Sequence, residues 1–404
     1  MNRLLYIHNI SIVSSQRGSL NTTLLQVFSM CNAFVKAGYE VTLAMEGGNN
    51  FTQNLNFFIN NSFQEILLFE IVTWNRKCRN QFINKFLIRS QLKSIIEKYK
   101  YEIMESDIVI DALIGTGLKK NIEGFMASLI AFINTLHKYT VSVDIPSGVD
   151  ADTGDIKGIA VHADLTVTFG LPKIGITIFP GLECVGKLIC ADINFPPNLL
   201  SQPRKNVLIT EEIIKPMLPV RQQNANKGHF GPILIVGGSR GLDGAVTLTA
   251  KAALRTGAGI VNLCIPEGLY NSVKSRSDEV IVTPMEEKNG FLSKKNINKI
   301  LKLSEKAKVV VIGPGIGRDK ETQELVCELV EKIEKPLVID ADGINAVSED
   351  KKCLKNLTKD VIITPHIGEM SRLTGLKIEE IIKDKIGICR NFIEEYKVNV
   401  LLKD

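Results

Sequence analysis

The sequence predicts an α/β protein in which two domains with parallel sheets follow one another along the chain. Three observations lead to this fold class. Short apolar segments alternate with stretches of helical apolar spacing, the apolar segments end directly in Gly-rich or Asp-containing turns, and a polar linker, SQPRKN, occupies residues 201–206. Apolar strands that alternate with helices are typical of parallel sheets buried on both faces. We therefore expect a Rossmann-like three-layer domain before the linker and a second α/β domain after it.

Composition narrows the classes of function. A chain of 404 residues is long enough for two or three domains, and its net charge of +5 is too mild to predict a nucleic-acid partner. No apolar run reaches the roughly 18 residues that span a bilayer, so we expect no membrane partner. The eight cysteines lack CxxC spacing, and no histidines are paired at metal-ligand spacing. These patterns indicate a cytoplasmic protein without disulfides or a zinc site, and they leave a homo-oligomer open.

Residues 1–100 begin with a βαβ pattern of Rossmann type. Leu4–Ile10 and Tyr39–Ala44 are predicted strands, Thr22–Lys36 between them has helical apolar spacing, and Trp74–Lys100 predicts a basic amphipathic helix pair. The run LLYIHNISIVSSQRGS is similar to the start of the amino-terminal half-domain of GT-B glycosyltransferases. We therefore expect residues 1–100 to be foreign to the domain that follows them.

The segment Val141–Gly154, VSVDIPSGVDADTG, predicts a strand that stops at Asp144 and turns at once. Ligands of open parallel sheets lie outside the carboxyl ends of the strands, so Asp144 is expected to face a crevice. A carboxylate there can take up or release a proton, or hold a hydroxyl group or a metal. The alternative is that the Asp residues of this segment only build turns.

A second predicted strand, within Ser106–Asn121, ends at Asp111 and is followed by a Gly-Thr-Gly loop and two lysines. Backbone amides of such a loop can bind phosphate, although a tight turn that packs a helix against a strand has the same pattern. One predicted helix, Phe125–Lys138, separates the two strands. We therefore expect Asp111 and Asp144 to lie at the same edge of the sheet.

The second half of the chain has the same pattern of apolar strands that end in glycine turns or at polar side chains. Strands in Lys227–Pro266 and Val309–Gly317 run into glycine loops suited to anions, and strands end again near Asp340, Asp342 and His366. For His366, which follows Thr-Pro and precedes Gly-Glu, a ligand role is favoured over a turn role. For Asp342 a helix N-cap is an equal alternative to a ligand role.

The motifs DALIGTGLKKN, VDIPSGVDADTG, ADLTVTFGLPKIG and ADINFPP, in this order over residues 102–197, resemble the epimerase domain of NAD(P)H-hydrate repair enzymes. The resemblance implies an epimerase domain over residues 101–200. It implies that Asp144 contacts the reactive ring of the hydrated dinucleotide, NAD(P)HX, and that Asp111 and Ser147 bind a potassium ion, for which oxygen ligands are suited. It also implies that the dinucleotide is held by a loop of seven residues: Gly115, Thr116, Gly117, Leu118, Lys119, Lys120 and Asn121.

The motifs GGSRGLDGA, TGAGIV, GPGIG, DADGIN and TPHIGE, over residues 207–404, resemble the ribokinase-like, ADP- or ATP-dependent dehydratase domain of the same enzymes. The resemblance implies that Ala245, Gly315 and His366 line the NAD(P)HX site, and that Lys403 binds ADP or ATP with magnesium. The family continues beyond this lysine with a segment that carries the catalytic base. We therefore expect an incomplete ribokinase-like domain with little or no dehydratase turnover.

The predicted function is the repair of hydrated NAD(P)H. It combines epimerisation of R- and S-NAD(P)HX with nucleotide-dependent dehydration of the S epimer, that is, an isomerase and a lyase on one chain. Two alternatives stay open: a ribokinase-like small-molecule kinase, and a non-catalytic nucleotide-binding protein. A glycosyltransferase is a remote fourth, because nothing after residue 100 resembles a second sugar-nucleotide domain.

Overall fold

The computed structural model describes residues 2–8, 39–46, 66–71, 104, 106–200, 205–220, 223–224 and 230–403. The chain divides into two compact units, Met1–Glu211 and Glu212–Asp404. The helices expected at Thr22–Lys36 and Trp74–Lys100 lie outside the described residues. Among the described residues, no helix combines the length and the apolar character that a membrane span requires.

Unit 1 contains a parallel sheet of seven strands in the order β3-β2-β1-β4-β5-β6-β7. The two strands expected near the start of the chain are present, and β3 was not predicted. The strands are β1 Asn2–His8, β2 Tyr39–Glu46, β3 Ile66–Ile71, β4 Ile108–Ala112, β5 Tyr139–Val143, β6 Leu165–Phe169 and β7 Lys187–Ala191.

Strand β1 joins the first hundred residues to the rest of unit 1. It pairs in parallel with both β2 and β4, and its residue Ile7 lies opposite Asp111. The three described strands of residues 1–100 therefore belong to the same sheet as the predicted site. The foreign origin of this segment stays a prediction, but these strands form no separate sheet.

Helix α1 (Gly124–Thr135) covers part of this sheet and ends before the expected Lys138. Its apolar face packs against β4 through Ile130, Ile133 and Val109, all buried. His137 adopts a left-handed conformation with φ 49°, which breaks the helix and turns the chain into β5. Unit 1 also contains the short helix α2 (Pro197–Leu200) and 3₁₀ turns at Ile174–Ile176 and Gly181–Cys184.

Unit 2 contains a second parallel sheet of seven strands, in the order β10-β9-β8-β13-β14-β15-β16, and a small hairpin. The strands of the sheet are β8 Pro232–Val236, β9 Ile260–Pro266, β10 Ile281–Met285, β13 Val309–Ile312, β14 Leu337–Ile339, β15 Val361–Ile363 and β16 Asn399–Val400, and the hairpin is formed by β11 Glu287–Lys288 and β12 Phe291–Leu292.

Helices pack on both faces of the second sheet. On one face Val246 and Ala250 contact the apolar residues of β8 and β9. On the other face a larger cluster joins β13 and β14 to several helices, with Leu325 and Ile344 fully buried. The helices of unit 2 are α4 Asp243–Thr256, α5 Tyr270–Lys274, α6 Ile297–Ser304, α7 Lys320–Lys332, α8 Asp342–Glu349, α9 Ile367–Thr374, α10 Ile378–Lys383 and α11 Lys385–Tyr396. The short helix α3, Glu211–Ile214, lies at the boundary between the units and has no buried residue.

The strand order reverses once in each sheet. In unit 1 the reversal lies between β1 and β4, and in unit 2 it lies between β8 and β13. At such a reversal the connections leave to opposite faces and open a crevice at the carboxyl ends of the strands. Asp111 and Asp144 lie at or beside the first reversal, and Gly315 follows a strand at the second. His366 and Lys403 follow β15 and β16, which lie farther along the second sheet.

Candidate functional site

Asp111, the fourth residue of β4, is fully buried. Its Oδ2 accepts hydrogen bonds from Ser142 Oγ and Ser147 N, both at 2.8 Å, and its Oδ1 accepts from Ser147 Oγ at 2.6 Å and Leu113 N at 3.3 Å. Burial raises the pKa of the Asp111 carboxyl above its usual value, although these hydrogen bonds act in the opposite direction. The residue ties β4 to the turn that follows β5.

The residues that were predicted to hold potassium are close together. Ser147 Oγ accepts a hydrogen bond from Ile114 N at 2.8 Å and lies 3.3 Å from Ile114 O. Carboxylate, hydroxyl and carbonyl oxygens therefore converge at one buried place, and oxygen atoms are the ligands that hard cations take. Ion binding at Asp111 and Ser147 stays a prediction.

Asp144 lies at the carboxyl end of β5 and adopts a left-handed conformation with φ 71°. Its Oδ1 accepts hydrogen bonds from Phe169 N at 3.1 Å and Thr168 Oγ1 at 3.2 Å, and it is also paired with Lys173 Nζ. The side chains of Asp144 and Lys173 are each 22% exposed. The carboxylate is thus oriented towards the end of β6 and remains accessible.

Lys173 was missed by the sequence analysis. It belongs to the GLPKIG turn after β6, and its Nζ also donates to Thr168 Oγ1 at 3.1 Å and to Phe169 O at 3.2 Å. The signal in the sequence was a lysine in the turn after β6, the strand that pairs with β5. Together the two side chains form a partly exposed acid–base pair.

The structure agrees with the expected placement of the two carboxylates at one sheet edge but differs in their exposure. Asp111 and Asp144 do lie at the same edge of the sheet, on adjacent strands. Asp111 is 0% exposed and is surrounded by donors of its own chain, whereas only Asp144 reaches the surface. The burial of Asp111 arises because the turn after β5 folds back over it.

The predicted dinucleotide loop, residues 115–121, is exposed except for the partly buried Leu118. A Cβ atom added to Gly115 or to Gly117 would meet no atom within 4 Å, and neither glycine has a positive φ. The fold therefore does not require glycine at either position. A close approach of a ligand to the backbone remains as a physical reason for it.

In unit 2 the glycine loops after β8 and β13 bind to each other. Gly238 N donates to Pro314 O at 2.9 Å, and Ser239 Oγ donates to Gly315 O at 2.8 Å. Several other amides are also used internally, since Gly313 N donates to Val236 O at 3.0 Å. Most backbone amides of these two loops are therefore not available to an anion, although both loops were expected to suit one.

Gly315 and Ser239 are exceptions within these interlocked loops, because both residues are buried and no acceptor is found for either backbone N–H among the described residues. A Cβ atom on Gly315 would lie 3.4 Å from Ala245 Cβ and 2.4 Å from Leu242 O. The structure thus brings Ala245 and Gly315 together, beside a backbone donor that suits a ligand acceptor. Their role in an NAD(P)HX site together with His366 stays a prediction.

Asp340, at the end of β14, holds Lys403. Its Oδ1 accepts from Thr364 Oγ1 at 2.6 Å and from Lys403 Nζ at 2.8 Å. Burial raises the pKa of Asp340, but the hydrogen bonds from Lys403 and Thr364 and the lysine charge outweigh it, so the pKa lies below its usual 3.8. Lys403 N also donates to Pro365 O at 2.8 Å, which places the predicted nucleotide lysine at the carboxyl edge.

Removing this lysine tests the contact without relying on an assay of activity. In Lys403→Met the pKa of Asp340 is expected to rise, because a cationic donor is lost while burial of the carboxyl remains. A ¹³C NMR titration of the Asp340 carboxyl measures the shift against the wild-type protein. Lys397→Met, in an exposed position after α11, is the control and should leave the titration unchanged. An equal pKa in Lys403→Met and wild type would contradict the contact.

His366 is the N-cap residue of α9. Its Nδ1 accepts from Gly368 N at 3.0 Å and Glu369 N at 3.4 Å, and Glu369 Oε2 accepts from His366 N at 2.9 Å. The turn role is therefore present in the structure. The side chain is also 55% exposed, and the ligand role stays a prediction.

Asp342 does not cap α8, so the N-cap alternative is wrong. The N-cap position belongs to Ala341, with φ 52°, and Asp342 is the first helical residue. Its carboxylate instead accepts from Gly317 N at 3.3 Å and Arg318 Nε at 3.2 Å. Asp342 thereby connects the end of β14 to the glycine loop after β13.

Comparison with known proteins places these sites in a family. Residues 233–404 match the model described as NAD(P)H-hydrate dehydratase, and residues 73–175 match that of the YjeF-related protein N-terminus. The chain is 35% identical to a bifunctional NAD(P)H-hydrate repair enzyme of Dictyoglomus turgidum, over 86% of this chain and 68% of that protein. This chain belongs to the family of bifunctional NAD(P)H-hydrate repair enzymes. The predicted family and the α/β fold are thus confirmed.

This chain spans a smaller share of other relatives in the repair-enzyme family. The Moorella thermoacetica enzyme is 38% identical over 77% of this chain and 59% of the relative. A structure of the ADP/ATP-dependent NAD(P)H-hydrate dehydratase from Bacillus subtilis, co-crystallized with ATP/Mg²⁺, is 26% identical over 48% of this chain and 65% of that chain, with a TM-score of 0.40. The amino-terminal match begins at residue 73, so the boundary expected near residue 100 lies inside it.

Proposed function

We propose that this repair-enzyme family member acts on NAD(P)HX at both sheet edges. Unit 1 interconverts the R and S epimers, and unit 2 dehydrates the S epimer with ADP or ATP. The observation that carries the proposal is the accessible pair of Asp144 and Lys173, beside an exposed loop whose glycines the fold does not require. The proposal includes a potassium ion at Asp111 and Ser147, a cytoplasmic location, and no nucleic-acid or membrane partner.

The pair has the chemistry that epimerisation needs. In the hydrated ring the hydroxyl group is attached to a carbon next to the ring nitrogen. Protonation of the hydroxyl oxygen lets the C–O bond break, water leaves, and the nitrogen lone pair stabilises the resulting cation. Water then adds to the opposite face and returns the proton. Asp144 is the proposed proton carrier, and Lys173 orients its carboxyl group and offers a second donor.

In unit 2 the side chains suit binding and orientation of a nucleotide. Lys403 Nζ, fixed by Asp340, is the proposed phosphate ligand, and the orphan N–H of Gly315 beside Ala245 is the proposed contact to NAD(P)HX. When bound, ADP or ATP with magnesium supplies a phosphoryl group that turns the hydroxyl into a better leaving group. Among the described residues no group of three His, Cys, Asp or Glu could hold a metal, which fits a magnesium ion held largely by phosphates and water.

The decisive experiment measures both reactions separately on the purified chain. Epimerisation of R-NADHX is followed by chromatographic separation of the epimers, with and without potassium. Dehydration of S-NADHX is followed by the absorbance of NADH, with ADP, with ATP and without nucleotide. The proposal expects potassium-dependent epimerisation, and it expects dehydration to require a nucleotide. Little or no dehydratase turnover is expected from the sequence, and robust ADP-driven turnover would contradict that expectation. Phosphorylation of a small alcohol without any reaction of NADHX would favour a ribokinase-like kinase instead.

Gly115→Ala is expected to separate binding from stability. Because the added methyl group meets no protein atom and φ is not positive, the free energy of unfolding should change by less than about 1 kcal/mol. The kcat/KM for R-NADHX should fall about tenfold, since the methyl group intrudes on the bound dinucleotide. Urea denaturation and the epimerisation assay measure the two quantities. Gly244→Ala, also in open space but in unit 2, is the control; unchanged epimerisation in Gly115→Ala would remove the loop from the site.

A further inference from the structure

Arg318 follows the glycine loop after β13, and its side chain makes one hydrogen bond in the part of the chain that the structure describes. Its Nε donates to Asp342 Oδ1 at 3.2 Å, and its side chain is 62% exposed. The two terminal nitrogens of the guanidinium group donate to no acceptor among the described residues. The side chain is therefore held at its base, and the forked end of the guanidinium is open to the solvent.

The carboxylate that holds Arg318 is itself fixed. Asp342, with a side chain 18% exposed, also accepts from Gly317 N at 3.3 Å and from Asn345 Nδ2 at 3.0 Å. Asn345 is buried, and its Oδ1 accepts from Arg372 Nε at 2.7 Å. Backbone, amide and guanidinium donors thus orient Asp342, and Asp342 in turn orients Arg318.

In this network Asp342 is linked to two arginines, directly to Arg318 and through Asn345 to Arg372. A partly exposed ion pair such as Arg318–Asp342 contributes only about 0–1 kcal/mol to stability. Stability is thus a poor explanation for so many contacts. A guanidinium group that is anchored through Nε presents two parallel N–H donors, which match two oxygens of a phosphate group.

Two carboxylates follow β14, and each is paired with a different cationic side chain. Asp340 holds Lys403, and Asp342, two residues later, holds Arg318. The proposed function requires two phosphate-bearing molecules in unit 2, the nucleotide and the dinucleotide substrate. With Lys403 assigned to the nucleotide, Arg318 is the cation beside Gly315, the predicted substrate contact.

We propose that Arg318 binds a phosphate group of the dinucleotide substrate, and that Asp342 is a positioning residue for it. The inference rests on the proposed function of unit 2, because the substrate there supplies the phosphate. It adds a specificity determinant: ligands that carry a phosphate on the nicotinamide side are favoured over the corresponding nucleosides.

The test compares nicotinamide mononucleotide with nicotinamide riboside, which differ by one phosphate group. Isothermal titration of the full chain should give a lower Kd for the mononucleotide. In Arg318→Gln the Kd of the mononucleotide should rise about tenfold, with that of the riboside unchanged. Arg318→Lys should recover little, because an ammonium group cannot form the bidentate contact. Asp342→Asn should give an intermediate loss, again confined to the mononucleotide.

Arg255→Gln, which removes an exposed arginine from the last turn of α4, is the control for net charge and should bind both probes like the wild type. A merely structural role of Arg318 would change both probes equally, and that result overturns the inference. Equal Kd values for the two probes in the wild type also overturn it. Nucleotide-dependent dehydration of S-NADHX that persists beside either result shows that the proposed function survives and only the role of Arg318 fails.

Discussion

Asp144→Asn is expected to lower the rate of epimerisation by about 100-fold or more, because the loss of a general acid–base group typically costs 10²–10⁴ in rate. The substitution is well matched to the site. Asn has the size of Asp and tolerates the left-handed conformation, with φ 71°, that Asp144 adopts. The free energy of unfolding should therefore change little, and kcat should fall more than KM rises. Rapid-quench measurement of the R and S epimers tests the effect.

Two further variants sharpen this result. Lys173→Met should also slow epimerisation, since the Asp144 carboxyl loses the donor that orients it. Asp152→Asn changes the same side chain in the exposed part of the same segment and should leave the rate unchanged. Full epimerase activity in Asp144→Asn would assign the chemistry to another group and leave Asp144 with a turn-building role.

Gly313→Ala is expected to destabilise unit 2 by about 4 kcal/mol or more. Gly313 has φ 118°, and a Cβ atom there would lie 2.1 Å from Asp340 O and 2.5 Å from Gly343 N. Both atoms belong to the backbone of the β14–α8 turn, so neither can rotate away as a side chain would. Urea denaturation followed by hydrogen exchange, resolved to peptides of residues 230–403, measures the loss of stability in unit 2.

Gly241→Ala separates the two causes of this effect. Gly241 also has a positive φ, 84°, but a Cβ atom there would meet nothing within 4 Å. The variant should therefore lose only the backbone preference, about 1–2 kcal/mol. Equal stability losses in the two variants would show that the turn after β14 can move aside and that the close contact of Gly313 is not a constraint.

The parts of the fold that the sequence predicted are those with local signals. Apolar runs that end at Asp144 or in glycine turns identify the strands and their carboxyl edges, because turn chemistry lies in adjacent residues. The helix end before His137 was misplaced by three residues, since the apolar spacing continues beyond the point where the backbone turns left-handed.

The parts that it could not predict depend on contacts between distant segments. Lys173 reaches Asp144 only because β6 lies next to β5, and sequence spacing alone does not give the direction of a side chain. Asp111 was expected to end a strand, but β4 continues to Ala112, and a turn more than thirty residues later covers the carboxyl. The same holds for Asp342, which accepts from Asn345 of its own helix but also from Gly317 and Arg318 of the neighbouring glycine loop.

The hydrogen bond from Ser239 to Gly315 joins positions 76 residues apart. The proposed substrate contact at Gly315 therefore depends on two loops that come from distant parts of unit 2. Partial opening of the unit should separate these loops, so a substrate bound there opposes the opening. Bound substrate should accordingly act as a folding ligand, protecting peptide bonds of unit 2 far from Gly315 against proteases.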